Sequence, residues 1–222
     1  SKGEKTPPDL KESFNGGPIK TPRKKINDNR AYEFCYQPTI WPEIEGFQEA
    51  WTDYYIEMEK LAVKIMSAFA EALKLEPNFF KNYIQFPISA LRALYYPKTT
   101  IVPEDGQQRA GAHTDYGSLT ILLPQPDTSG LQLKIETRWI DVPAIKGTFV
   151  INIGDLMELW TGGRWKSTLH RVIVKSNQPD RKSLAFFHQP DWEAKIYPIG
   201  GNNNSPVISG PYLMEKFLST GT

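Results

Sequence analysis

The chain reads as a mainly β protein with flanking helices: a distorted double-stranded β-helix, or jelly roll, with one long external helix. Three observations predict this. Apolar side chains recur at three- and four-residue steps between Phe47 and Phe69, as one face of a long helix requires. From Ile88 onward, short strand-like runs are separated by Pro, Gly, Asn and Asp. Many short strands with one long helix suit a closed or nearly closed β-scaffold with the helix packed outside. With 222 residues, 40% hydrophobic and 12% aromatic, residues 1–222 fit a single domain able to bury a sizeable core.

Residues 1–30 are rich in Lys, Pro, Gly and Asn and form an irregular lead-in that Ile40-Trp-Pro42 ends. The basic run Thr21-Pro-Arg-Lys-Lys25 reads as a solvated loop. A net charge of +1 gives no electrostatic reason to expect nucleic acid or an anionic membrane. The helix is expected from Pro42 or Ile44 to Leu75, since Pro suits a first helical turn. Phe47, Trp51, Tyr54, Met58, Leu61, Ile65 and Phe69 form its core stripe, while Glu49, Glu57, Lys60 and Lys64 fall mainly on other faces. Pro77 breaks it, and Asn78-Phe-Phe-Lys-Asn82 reads as a short second helix.

Strands are expected at 89–96, 118–123, 130–135, 138–141, 148–153, 170–175 and 182–188. Leu119, Ile121 and Leu123 alternate with Ser118, Thr120 and Leu122, the pattern of a half-buried strand. Residues 98–108 form a polar loop, and Asp155 reads as the cap of the helix Leu156–Trp160. The run 200–204 is a flexible turn before a C-terminal helix, Pro211 to Leu218. No apolar run reaches the roughly 18 residues of a membrane span, and no signal-peptide pattern opens the chain. Cys35 is the single cysteine, so no intrachain disulfide forms. A reducing, cytoplasmic location is the expectation.

The chemistry concentrates in His113-Thr114-Asp115, with His170 downstream. On an extended strand, residues i and i+2 project to one side, so His113 and Asp115 can converge on one ion. His170 must then arrive from another strand. Two imidazoles and a carboxylate can occupy one face of an octahedral metal and leave the other open, which points to non-haem Fe(II) and oxygen chemistry. Zinc with a water is the competing reading and would suit hydrolysis. Gly111 and Gly117 flank the motif and let backbone pack closely around it. Arg181 and Ser183 share a face of the last long strand, where a guanidinium fork and a hydroxyl make a receptor for a carboxylate. That second receptor argues against zinc. His188 follows Phe187 directly, faces the other way and reads as a satisfied core or rim histidine.

These residues resemble the isopenicillin N synthase-like family of Fe(II)- and 2-oxoglutarate-dependent oxygenases. The likeness runs from about Pro8 to Leu218 and is most specific from 111 to 183. Gly111-Ala-His-Thr-Asp-Tyr-Gly117, Gly130-Leu-Gln132, Trp139-Ile-Asp-Val-Pro143, Phe149-Val-Ile-Asn-Ile-Gly-Asp155 and Gly163-Arg-Trp-Lys-Ser-Thr-Leu-His-Arg171 carry it. The resemblance implies that His113, Asp115 and His170 bind Fe(II). It implies that Arg181 and Ser183 hold the distal carboxylate of 2-oxoglutarate, with help from Tyr96. It also implies that Phe187 stacks on the organic substrate and that O2 is the oxidant. Many relatives carry Asn where this chain has Leu94, so that wall of the pocket differs. Arg92 points to the same region by alternation with Leu94 and Tyr96; it either meets a substrate carboxylate or forms a buried structural ion pair. The activity implied is oxidation of a small organic molecule by hydroxylation, desaturation or ring closure, giving succinate and CO2. An Fe(II) oxidase of the same fold that needs no 2-oxoglutarate and a non-catalytic small-molecule-binding module are the alternatives. Relatives normally carry several dozen residues before the point where this chain begins, so a missing N-terminal segment is the expectation.

Overall fold

The computed structural model describes residues 7–22, 26–100, 102–201 and 205–220. The basic residues 23–25 and the asparagines 202–204 therefore lie outside the described residues. Along the chain come β1 (Glu12–Gly16), α1 (Arg30–Phe34), α2 (Phe47–Ala72), β2 (Ala90–Tyr96), β3 (Ala110–His113), β4 (Leu119–Pro124), β5 (Leu131–Ile135) and β6 (Arg138–Asp141). Then follow β7 (Val150–Ile153), α3 (Asp155–Trp160), β8 (His170–Val172), β9 (Arg181–His188), the short pair β10 (Lys195–Ile196) and β11 (Val207–Ile208), and α4 (Ser209–Thr220).

Among the described residues, two sheets dominate. The larger has the order β1-β2-β9-β4-β7 and the smaller β3-β8-β5-β6, with antiparallel pairing throughout. From β2 to β9 the chain passes back and forth between the sheets, which is the winding of a double-stranded β-helix. The sheets meet through Tyr96, Leu94, Leu122 and Val150 on one side and Ala110, Leu131 and Val172 on the other. The opposite face of the larger sheet, through Leu91, Leu119, Ile121 and Phe186, packs on α2. Burying one such side chain stabilises the fold by about 1.5–3 kcal/mol.

The centre of the α2 stripe is Trp51, Tyr55, Met58, Ala62, Met66 and Ala70, one step round from the expected line. Phe47, Tyr54, Leu61, Ile65 and Phe69 flank it as half-buried residues. Small alanines at the centre let the helix axis approach the sheet, a place the bulky residues would fill. Tyr55 meets Phe186 edge-on at 5.2 Å, and its hydroxyl donates to the Ser89 carbonyl at 3.0 Å. No helix among the described residues is long and apolar enough to cross a membrane.

Several local expectations are corrected. The helix starts at Phe47 and not at Pro42 or Ile44, because Gly46 takes φ +73° and turns the chain into the helix axis. It ends at Ala72, and the expected second helix at 78–82 is a turn running into a 3-10 segment at Lys81–Tyr83. The strand expected at 170–175 stops at Val172. β4 is not half-buried: Ser118, Leu119, Thr120 and Ile121 are all buried, since one face meets α2 and the other the barrel interior. β1 and the short α1 carry no clear periodicity and were not expected.

Candidate metal centre and co-substrate pocket

Strand register decides which side chains enter the barrel. Antiparallel partners share a face, so β2 and β9 together present Arg92, Leu94 and Tyr96 beside Arg181, Ser183, Ala185 and Phe187. β4 adds Thr120 opposite Phe187, and β7 adds Asn152 opposite Thr120. From the facing sheet, His113 of β3 stands directly opposite His170 of β8, just past an irregularity in the β3–β8 register.

The expectation that His113 and Asp115 share a strand is corrected in part. β3 ends at His113, and Asp115 lies in the turn that follows. The backbone amides of Asp155 and Leu156 at the start of α3 donate to the carbonyls of Asp115 and Tyr116, at 2.7 and 3.1 Å. Gly154 makes this possible, since a Cβ there would overlap the carbonyl oxygens of Gly117 and Asp115.

The three donors converge all the same. Asp115 Oδ1 lies 3.9 Å from His113 Nε2 and 3.7 Å from His170 Nε2. The whole set falls within 4.8 Å. Each imidazole is oriented from behind: His113 Nδ1 is 2.7 Å from the Gly111 carbonyl and His170 Nδ1 is 2.9 Å from the Thr168 carbonyl. A carbonyl only accepts, so both Nδ1 atoms carry the proton and both Nε2 lone pairs face Asp115. Burial and the neighbouring His170 hold the His113 pKa below the ordinary imidazole value, against the pull of Asp115. The other carboxylate oxygen is spoken for: Asp115 Oδ2 accepts from Thr120 Oγ1 at 2.6 Å and from Asn152 Nδ2 at 2.7 Å. One oxygen and two nitrogens are left for an ion, the donor set of a facial triad.

On the larger sheet, Arg181 and Ser183 are 3% and 5% exposed. Arg181 Nη1 and Ser183 Oγ are buried with no hydrogen-bond partner among the described residues. Leaving such groups unpaired costs about 1–3 kcal/mol each, a cost that a carboxylate seated there removes. The Arg181 guanidinium lies 5.1 Å from the Tyr96 ring centroid, and burial pushes the Tyr96 phenol up. Arg92 stands over the Phe187 ring at 5.5 Å and donates from Nε to Asn15 Oδ1. No carboxylate lies within ion-pair distance of it among the described residues, though the Asp115 charge acts on it from further away.

His188 is fully buried on the opposite face, with Nδ1 2.6 Å from Ser118 Oγ, and is a satisfied core histidine as expected. Asp155 is not a side-chain cap. Gly154 occupies the cap position, and the Asp155 carboxylate accepts from Lys216 Nζ of α4 at 2.9 Å. Thr120 and Asn152 were missed as site residues. Asn152 did leave a signal, as a lone amide inside the apolar run Val150–Ile153. Thr120 left none, because it fitted the alternation of an ordinary strand.

The comparisons with known proteins agree with this geometry. The model of the 2OG-Fe(II) oxygenase superfamily matches residues 87–190. The chain is 34% identical to a validamycin A dioxygenase of Streptomyces hygroscopicus subsp. limoneus, over 94% of this chain and 60% of that protein. It is 33% identical to the 2-oxoglutarate-dependent dioxygenase caaD of Aspergillus niger, over 97% of this chain and 67% of that protein. Among solved structures, a full-length Neurospora crassa protein in complex with alpha-KG superimposes with a TM-score of 0.83 at 30% identity, over 96% of this chain and 67% of that one. The chain thus spans about three-fifths to two-thirds of the length of these relatives. With a matching fold, a convergent His-Asp-His set and relatives of this similarity, the chain belongs to the 2OG-Fe(II) oxygenase superfamily.

Proposed function

We propose that this chain carries the catalytic centre of an Fe(II)- and 2-oxoglutarate-dependent dioxygenase acting on a small organic molecule, as a single domain in the cytoplasm. The observation that carries the reading is the presence of two half-built sites between the two sheets of one barrel. Three converging donors have their non-coordinating atoms already tied, and a buried guanidinium and hydroxyl lack partners.

His113 Nε2, His170 Nε2 and Asp115 Oδ1 would hold Fe(II). Arg181 and Ser183 would receive the distal carboxylate of 2-oxoglutarate through charge-assisted hydrogen bonds worth about 1.5–3 kcal/mol. Tyr96 closes that pocket and stays a neutral phenol. When bound, iron and 2-oxoglutarate supply an O2-dependent oxidation that releases succinate and CO2 while the substrate loses a C–H hydrogen. The chain's own part is to orient, to exclude water with the apolar wall of Leu94, Leu122 and Val150, and to present the substrate. Phe187 would stack on a ring or apolar body. Arg92, with no carboxylate at ion-pair distance among the described residues, would meet a carboxylate or similarly electron-rich group.

The test is anaerobic Fe(II) titration followed by a substrate panel read out as 2-oxoglutarate decarboxylation, with succinate measured against oxidised product. Equal yields of succinate and product are expected. Product without succinate would favour the Fe(II) oxidase that uses no 2-oxoglutarate. His113→Ala should lose metal binding and turnover together, and turnover by that variant would overturn the metal assignment.

A further inference from the structure

Two guanidinium groups are buried at the Arg181 end of the barrel, and neither has a carboxylate partner among the described residues. Arg181 is one. The other is Arg109, 1% exposed, the residue before β3. Its backbone amide donates to the Val172 carbonyl at 3.0 Å. Its Nη2 donates to the Pro97 carbonyl at 2.8 Å and to the Pro179 carbonyl at 2.6 Å. Pro97 follows Tyr96, and Pro179 lies just before Arg181. Tyr96 and Arg181 face each other in register. One nitrogen atom therefore ties the end of β2 to the start of β9, at the place where both pocket residues sit.

Arg109 Nε is also buried without a hydrogen-bond partner among the described residues. Burial and the adjacent Arg181 both push the Arg109 pKa down, as two like charges in a dry pocket must. Tyr96 and Asp180 offset part of that repulsion at Arg109, and an anion seated against Arg181 would offset more of it. We propose that Arg109 is a positioning residue for the co-substrate: it locks Tyr96 and Arg181 at the spacing that receives the distal carboxylate and supplies a second buried positive charge behind it. The inference rests on the 2-oxoglutarate reading above.

The experiment uses the full chain, loaded with Mn(II) as a redox-stable stand-in, with 2-oxoglutarate binding followed by calorimetry. Metal affinity and thermal unfolding are measured on the same samples. Arg109→Met should bind Mn(II) within about twofold of wild type and 2-oxoglutarate about tenfold or more weakly. Arg109→Lys should fall between, because an ammonium keeps the charge but is a flexible point charge without the planar, pre-organised guanidinium. In turnover, KM for 2-oxoglutarate should rise while kcat at saturation holds. Unchanged 2-oxoglutarate affinity in Arg109→Met overturns the proposal. If the methionine variant does not fold, the lysine variant decides: weaker 2-oxoglutarate binding with intact metal binding supports the proposal, and unchanged binding overturns it. Loss of folding in both variants also overturns it, since Arg109 is then scaffold alone. A wild-type chain that binds Mn(II) but no 2-oxoglutarate removes the co-substrate reading itself, an outcome distinct from any difference between variant and wild type.

Discussion

Replacing Asn152 by alanine removes one of two donors that hold the non-coordinating oxygen of Asp115. The contact is short, 2.7 Å from Nδ2 to Oδ2, and its acceptor is charged. A hydrogen bond of that kind is worth about 1.5–3 kcal/mol. Asn152 is only half-buried, so solvent can recover part of this. The carboxylate keeps its bond from Thr120 at 2.6 Å. The net loss in metal binding should therefore be about 1–2 kcal/mol, or about five- to thirtyfold in affinity. Thr120→Val should cost at least as much, because Thr120 is buried and its isosteric replacement admits no water. Both donors act on one oxygen, so the double variant should depart from additivity. Anaerobic calorimetric titration with Fe(II), alongside thermal melts to show that the fold is intact, measures each step. A folded double variant with wild-type iron affinity would refute the claim that these donors orient the ligand.

Three other perturbations test separate parts of the structure. Arg181→Lys should weaken 2-oxoglutarate binding about tenfold or more while sparing metal binding, since an ammonium cannot form the two-pronged contact of a guanidinium; equal binding of 2-oxoglutarate would remove Arg181 from the pocket. Burial holds His188 down at about 4, below the ~6.5 of an exposed imidazole. The unfolded chain therefore binds the extra proton first: stability from this group is whole above about pH 6.5 and declines as pH falls towards 4, by on the order of 3 kcal/mol. Urea unfolding at neutral and mildly acid pH should show a smaller decline for His188→Gln than for wild type, and parallel declines would contradict the buried neutral histidine. Ala62→Leu, at a fully buried point of α2, should destabilise by about 1–3 kcal/mol through overpacking against the larger sheet; an unchanged denaturation midpoint would mean that the helix stands further from the sheet.

The features legible in the sequence are those set by local spacing. The α2 stripe, the strands β2, β5, β6 and β9, and the shared face of Arg181 and Ser183 follow from periods of 3.6 and 2 that any neighbour must respect. The three metal donors were legible for a different reason: histidine is scarce in this chain, and His113-x-Asp115 is compact. What spacing cannot express is partnership across the fold. Thr120 and Asn152 serve Asp115 only because β4 and β7 pair in one register. Arg109 reaches Pro97 and Pro179 only because β2, β3 and β9 end together. Asp155 finds Lys216 only after α4 docks, and the turn at Gly46 overrides a proline that would suit a helix start. Side-chain period is a property of one backbone segment and is written in the order of residues. Hydrogen-bond partners, buried charge and the orphaned atoms at Arg181, Ser183 and Arg109 belong to distances between segments, which exist only once the sheets have closed on each other.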